Sequence, residues 1–216
     1  LKEQVRQQKS LQQVLAEAAA LEKQGIWFAA GNSAAQRYLK VLSIQPGQAQ
    51  AASGLQKLVD ELERQVTAQL GLHNPGQASV LLAPALALMP ANQQLNELAG
   101  QITASEPKVT ELELSSVADF SDVQTNGKLK AGRTLYIRFH YRNFNPATTV
   151  LQAVLYDGGR TVQIAEIPVI ANGEQGTSSF RIDRSVEGFN EGGYHIDMLL
   201  EGRRVATRDF VVAAFE

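Results

Sequence analysis

Cysteine is absent from all 216 residues. That excludes a disulfide framework, cysteine-based zinc sites and thiol catalysis. No apolar run approaches the roughly 18–20 residues that span a bilayer. An excess of one charge is missing too: 20 basic and 22 acidic residues leave a formal net charge of −2. This balance gives no electrostatic footprint for nucleic acid or an anionic membrane surface. Catalytic signatures are lacking: the chain holds no Gly-x-Ser-x-Gly, no Gly-x-Gly-x-x-Gly, no Gly-Lys-Ser/Thr and no His-Glu-x-x-His. Aromatic residues are sparse at 6%, with one tryptophan. The chain opens on Leu1 and shows no signal peptide, so the expectation is a mature or excised fragment from which targeting information is missing.

What is present divides in two. Residues 1–105 hold 17 of the 21 glutamines and are rich in alanine and leucine. Residues 106–216 hold most of the aromatic, arginine and aspartate content. Alanine, leucine and glutamine favour helix, whereas β-branched and aromatic residues favour strand. The expected organisation is a helical domain over 1–105 and a β domain over 106–216. The polar stretch Thr103–Lys108 with Pro107 forms the joint.

Five helices are predicted, at 1–23, 33–44, 48–72, 77–88 and 92–103. Leu11, Val14, Leu15, Ala18 and Leu21 recur at three- and four-residue spacing and so share one face. Asn32 or Ser33 caps the second helix, which stops before Pro46. His73-Asn-Pro-Gly76 reads as a turn. The segment Gly25-Ile-Trp-Phe-Ala-Ala-Gly31 is too apolar for an ordinary loop and is expected to fold back onto the helices. An internal repeat runs beneath: Ala34, Tyr38, Leu42, Ile44 and Pro46 recur as Ala78, Leu82, Leu86, Leu88 and Pro90. Small, large and terminal-proline positions in this order suit stacked helical hairpins. They resemble the second helix of a tetratricopeptide repeat (TPR), although the usual first-helix signature is absent and the period is longer than the family's. A plain antiparallel bundle is the alternative.

Seven strands are predicted, at 109–117, 133–142, 148–157, 160–169, 176–183, 193–201 and 204–215. Leu135, Ile137, Phe139 and Tyr141 alternate with Tyr136, Arg138, His140 and Arg142. Turns are expected at Asn126-Gly127, Asp157-Gly158-Gly159, Asn172-Gly173 and Glu201-Gly202. No helix-length crossover separates the strands, so an all-antiparallel sandwich is expected. The segments Gly132–Phe139, Leu155–Gly158 and Val186–Gly202 resemble bacterial immunoglobulin-like modules. The segment from Leu21 through Tyr38 to Leu55 is similar to helical regions of bacterial receptor-like proteins, among them single-span serine/threonine kinases. The resemblance implies TPR-like antiparallel hairpins followed by a seven-stranded immunoglobulin-like sandwich, outside the cytoplasmic membrane of a bacterium.

Residues for chemistry are few. His195-x-Asp197 with His140 could supply half of a metal site, but a solvated sheet face with cross-strand polar pairs is the expected arrangement. Asp119, Asp122 and Asp157 match no calcium-loop spacing. Glu111 and Glu113 face one side of a strand as an exposed pair. No catalytic, cofactor or metal residue is assigned, and no cofactor is expected. Trp27 and Phe28 either plug the helical hairpin or anchor a partner. With Tyr38, Arg138 and Arg142 they form the expected interaction surface. The expected function is non-catalytic: a protein- or peptide-binding scaffold or sensor region of a bacterial envelope protein, with a protein or peptide partner. Two others stand beside it: an accessory region of a cell-wall hydrolase acting through His195 and Asp197, and a glycan-binding module stacking sugars on Tyr136, Tyr141 or Tyr156.

Overall fold

The computed structural model describes residues 2–123, 127–130, 132–145, 147, 149–158, 162–184 and 188–213. The expected turn residues Asn126 and Gly159 lie outside these, as do Val186 and Glu187 and strand-end positions 148, 160, 161, 214 and 215. Two compact units divide at the joint, Leu1–Glu106 and Pro107–Glu216. The first holds five helices: α1 (Lys2–Lys23), α2 (Ala34–Ile44), α3 (Ala49–Gly71), α4 (Pro75–Leu88) and α5 (Gln93–Ser105). Each of the last four starts on a side chain that accepts a backbone N–H three residues on: Ser33, Gln48, Asn74 and Asn92. This satisfies one of the orphan donors of a helix start.

The helices form two cores in sequence. Leu11, Leu15 and Ala18 of α1 pack with Ala34, Tyr38 and Val41 of α2 and Ala51 and Leu58 of α3. Val59, Leu62 and Val66, further along α3, pack with Ala78, Leu82 and Ala85 of α4 and Leu95, Leu98 and Ile102 of α5. Contacts run α1–α2, α2–α3, α3–α4 and α4–α5, with α1 on α3 and α3 on α5. The internal repeat extends to the helix ends. Gln45 closes α2 by donating its N–H to Val41, and Met89 closes α4 on Ala85, 44 positions later. Gln48 and Asn92, equally spaced, cap the helices that follow.

The expected turn at His73–Gly76 is corrected in part. His73 takes a positive φ of 54°, but Pro75 and Gly76 form the first turn of α4. Proline costs nothing at that position, because its missing N–H would have no helical partner. Pro84 stands inside α4 and there removes one i→i−4 bond.

Eight strands follow among the described residues, not the seven predicted: β1 (Lys108–Ser115), β2 (Lys128–Lys130), β3 (Thr134–Arg142), β4 (Thr149–Asp157), β5 (Val162–Ala171), β6 (Gly176–Asp183), β7 (Gly192–Leu200) and β8 (Arg203–Ala213). They make a three-stranded sheet, β1-β3-β6, and a five-stranded sheet, β2-β8-β7-β4-β5. The additional strand is β2, which pairs with β8 in parallel, so the sheets are not wholly antiparallel. Three residues with one inward side chain carry no readable alternation. Inner faces of both sheets share one core, from Leu112, Ile137 and Phe139 to Leu155, Ile196 and Phe210. The sheets also meet along two sides. Arg208 on β8 donates to the Leu112 carbonyl of β1 at 3.1 Å. Ser178 on β6 donates to the Ile170 carbonyl of β5 at 2.7 Å.

Candidate functional site

Three places gather polar or aromatic groups. The first is the loop joining α1 to α2. Gly25 and Gly31 bound it with positive φ values of 74° and 84°, a conformation that glycine adopts freely. Between them the chain is stapled down. Ala34 and Ala35 donate their N–H groups to the Ile26 and Trp27 carbonyls, each at 3.0 Å. The Trp27 indole donates to the Glu22 carbonyl at 3.1 Å. Trp27 packs on the first helical core, and Phe28 packs on both. Both rings are half-buried, while Ala29, Ala30 and Gly31 are exposed at the tip.

Tyr38 lies beneath this loop, only 4% exposed. It therefore offers a partner no contact area. Its hydroxyl donates to the Glu22 carboxylate at 2.8 Å. Burial, then the hydrogen bond to Glu22 and its charge, push the phenol up to about 12. Its ring leaves room for nothing but hydrogen at Gly54, where a Cβ would come within 2.4 Å of the ring.

The second place is the outer face of the three-stranded sheet. Arg138 pairs with Glu113, and its guanidinium lies 4.5 Å from the centre of the Phe120 ring. The hydrogen bond from Arg138 holds Glu113 below the usual carboxylate range, against the opposing effect of burial. His140 lies 3.7 Å from Glu113 and 3.9 Å from Glu111, with Thr177 at 2.9 Å from its Nδ1. Arg142 is exposed at the strand end, opposite Lys108. Asp122 accepts from the hydroxyls of Ser115 and Ser116. Burial raises its carboxyl, but these hydrogen bonds outweigh that and lower it.

The third place is the outer face of the five-stranded sheet, and here one expectation is corrected. His195 is not on a solvated face; it is 1% exposed, and Asp197 is 7% exposed. Register explains this. His195 lies between Tyr156 on β4 and Asp209 on β8, and Asp197 lies between Val154 and Thr207. His195 Nε2 is 2.7 Å from Asp197 Oδ1 and Nδ1 is 2.5 Å from Asp209 Oδ1. Thr207 donates to Asp197 at 2.8 Å, and Arg204 stands 3.7 Å away. Burial pushes Asp197 up. Hydrogen bonds from Thr207 and His195, with the charges of His195 and Arg204, bring it below its ordinary value. No group of three or more histidine, aspartate or glutamate side chains placed to hold a metal ion occurs among the described residues.

The tyrosines considered for sugar stacking separate. Tyr141 is 5% exposed and donates to the Asn172 carbonyl at 2.6 Å. Tyr136 and Tyr156 are half-buried, on the outer faces of different sheets.

No family model matches the chain, and no curated protein matches it. Three similar solved structures cover different shares of it. An immunoglobulin-like protein from Pseudomonas aeruginosa is 12% identical over 50% of this chain and 97% of that one, with a TM-score of 0.36. An alkylpurine DNA glycosylase from Pseudomonas fluorescens, bound to DNA containing an abasic site analog, is 15% identical over 83% of this chain and 53% of its own, at 0.33. A β-glucosidase from Listeria innocua in complex with glucose is 16% identical over 51% of this chain and 16% of its own, at 0.34. None of these likenesses is close enough to assign the chain to a family.

Proposed function

We propose that this chain is a non-catalytic protein- or peptide-binding module. In this reading TPR-like hairpins and an immunoglobulin-like sandwich form an extracytoplasmic scaffold or sensor region of a bacterial envelope protein. A membrane-anchored receptor kinase is one such parent. The supporting observation is the stapled α1–α2 loop. Its backbone bonds to α2 and the indole bond to Glu22 hold two large rings beside an exposed Ala29–Gly31 tip. Aromatic groups already held in place offer contact area at small entropic cost. Arg142, exposed at the end of β3, supplies a separate charged contact.

A photo-crosslinking residue at Ala30 of the whole protein, in its source cells, tests this. The expected result is a discrete set of crosslinked proteins that Trp27→Ala removes while the helix content stays. Crosslinking that is diffuse, or unchanged by Trp27→Ala, overturns the reading.

A further inference from the structure

The helical unit ends on a groove. Its floor and walls come from α4 and α5, among them Leu82, Ala83, Leu86, Ala99 and Thr103, and it encloses about 160 Å³. The internal repeat says what belongs there. Shifted by 44 positions, α2 becomes α4 and the start of α3 becomes α5. The groove walls Ala83, Ala99, Thr103 and Glu106 then correspond to Leu39, Leu55, Val59 and Leu62. Those four residues are occupied: they pack in one cluster with Ala78, Leu82 and Ala85 of α4. In the preceding unit, therefore, the same groove holds a helix.

The helix contacts repeat in the same way. α3 lies on α1, and α4 returns alongside α3; α5 lies on α3, but strand β1 follows it instead of a returning helix. We infer that the α4–α5 groove receives one amphipathic helix of a partner protein, docked as the absent return helix of a third hairpin. This deepens the binding reading above and rests on it. The occupant's chemistry follows from the filled groove. α4 presents a small–large–small face, Ala78, Leu82 and Ala85, and α2 presents Ala34, Tyr38 and Val41. Alanines 83 and 99 stand where the filled groove has leucines, so the empty one is wider and calls for the bulkier face of the α2 type. Val59 and Leu62 are replaced by Thr103 and Glu106, which makes one wall polar. A face that must stay soluble while unoccupied has this character.

The test uses the whole chain, ¹⁵N-labelled, and a synthetic peptide of residues 33–46 with blocked ends as the added helix. Saturable amide shifts at Ala83, Leu86, Ala99 and Thr103 are expected. Ala83→Arg and Thr103→Arg, both at exposed positions, are each expected to weaken binding at least about tenfold by clash and charge. Gln101→Arg, also exposed, should leave it unchanged. Thermal melts of the variants check that they remain folded. Three results overturn the proposal: no saturation by about 1 mM peptide, shifts that survive both wall variants, or a concentration-dependent dimer that Ala83→Arg dissolves. The last would assign the groove to a second copy of this chain. The crosslinking at Ala30 tests the binding reading at another surface, so either experiment can fail alone.

Discussion

Tyr38 and Asp197 respond to opposite ends of the pH scale. The Tyr38 phenol rises from 10.0 to about 12 in the folded chain. Its stabilising contribution is complete below pH 10 and is lost as pH climbs through 12. The shift of about two units corresponds to roughly 2–3 kcal/mol. Tyr38→Phe is expected to flatten the fall in stability between pH 10 and 12, read by urea unfolding. Absorbance at 295 nm should lose its most alkaline tyrosine step. Asp197 has the reverse sign: its carboxyl is lowered from 3.8 in the fold. Its contribution is present above that value and is lost as pH falls below it. Asp197→Asn should therefore shallow the acid limb of the stability profile. His195→Leu is expected to cost about 1–3 kcal/mol at pH 7, because it removes one of the hydrogen bonds that offset the burial of Asp197 and leaves Thr207 and Arg204 to hold it. A variant as stable as the parent would show that the pairing contributes nothing net.

At the level of elements, Gly54 gives the sharpest test. Glycine to alanine inside a helix ordinarily gains about 1 kcal/mol. Here the added Cβ meets the Tyr38 ring at 2.4 Å, so Gly54→Ala is expected to destabilise by about 1–3 kcal/mol. Combined with Tyr38→Val, the same change should become neutral or favourable, and chemical denaturation of all four proteins reads the coupling. The elements differ in how much of this their sequence announces. The alternation Leu135, Ile137, Phe139, Tyr141 is long enough to declare β3 and its inward face, and the pair Asn32-Ser33 declares the start of α2, where Ser33 is the cap. β2 is too short to have a period, and it exists because β8 offers a partner edge. Pro75 reads as a breaker until Asn74 is seen to cap it. The burial of His195 was illegible for another reason. It depends on which residues β4 and β8 set beside it: β4 is distant in sequence, and the register with β8 shifts between Met198 and Leu199, so neither pairing follows from the local pattern. The terminal groove is half legible: α2 matches α4 at five spaced residues, but the match of α3 with α5 is carried by caps and packing rather than by residue identity.

Across the molecule, each unit owns its core: two helical clusters before Glu106, and one shared sheet core after Pro107. Each is therefore expected to fold alone. Residues 1–106 and 107–216, expressed separately, should each unfold in one cooperative transition, with helical and β circular dichroism respectively. A fragment without such a transition would show that its fold depends on the other.

The two sheets meet through Arg208 at one side and Ser178 at the other, and this bears on how the chain survives crowding. Open strand edges template fibrils, and natural sheets blunt them with short strands and lysines. The outermost strand of the larger sheet at its β8 end is β2, only three residues long and bearing Lys128 and Lys130. A growing cross-β stack would have to bury those ammonium groups, so this flank repels the amyloid-like addition that a longer, uncharged strand would invite.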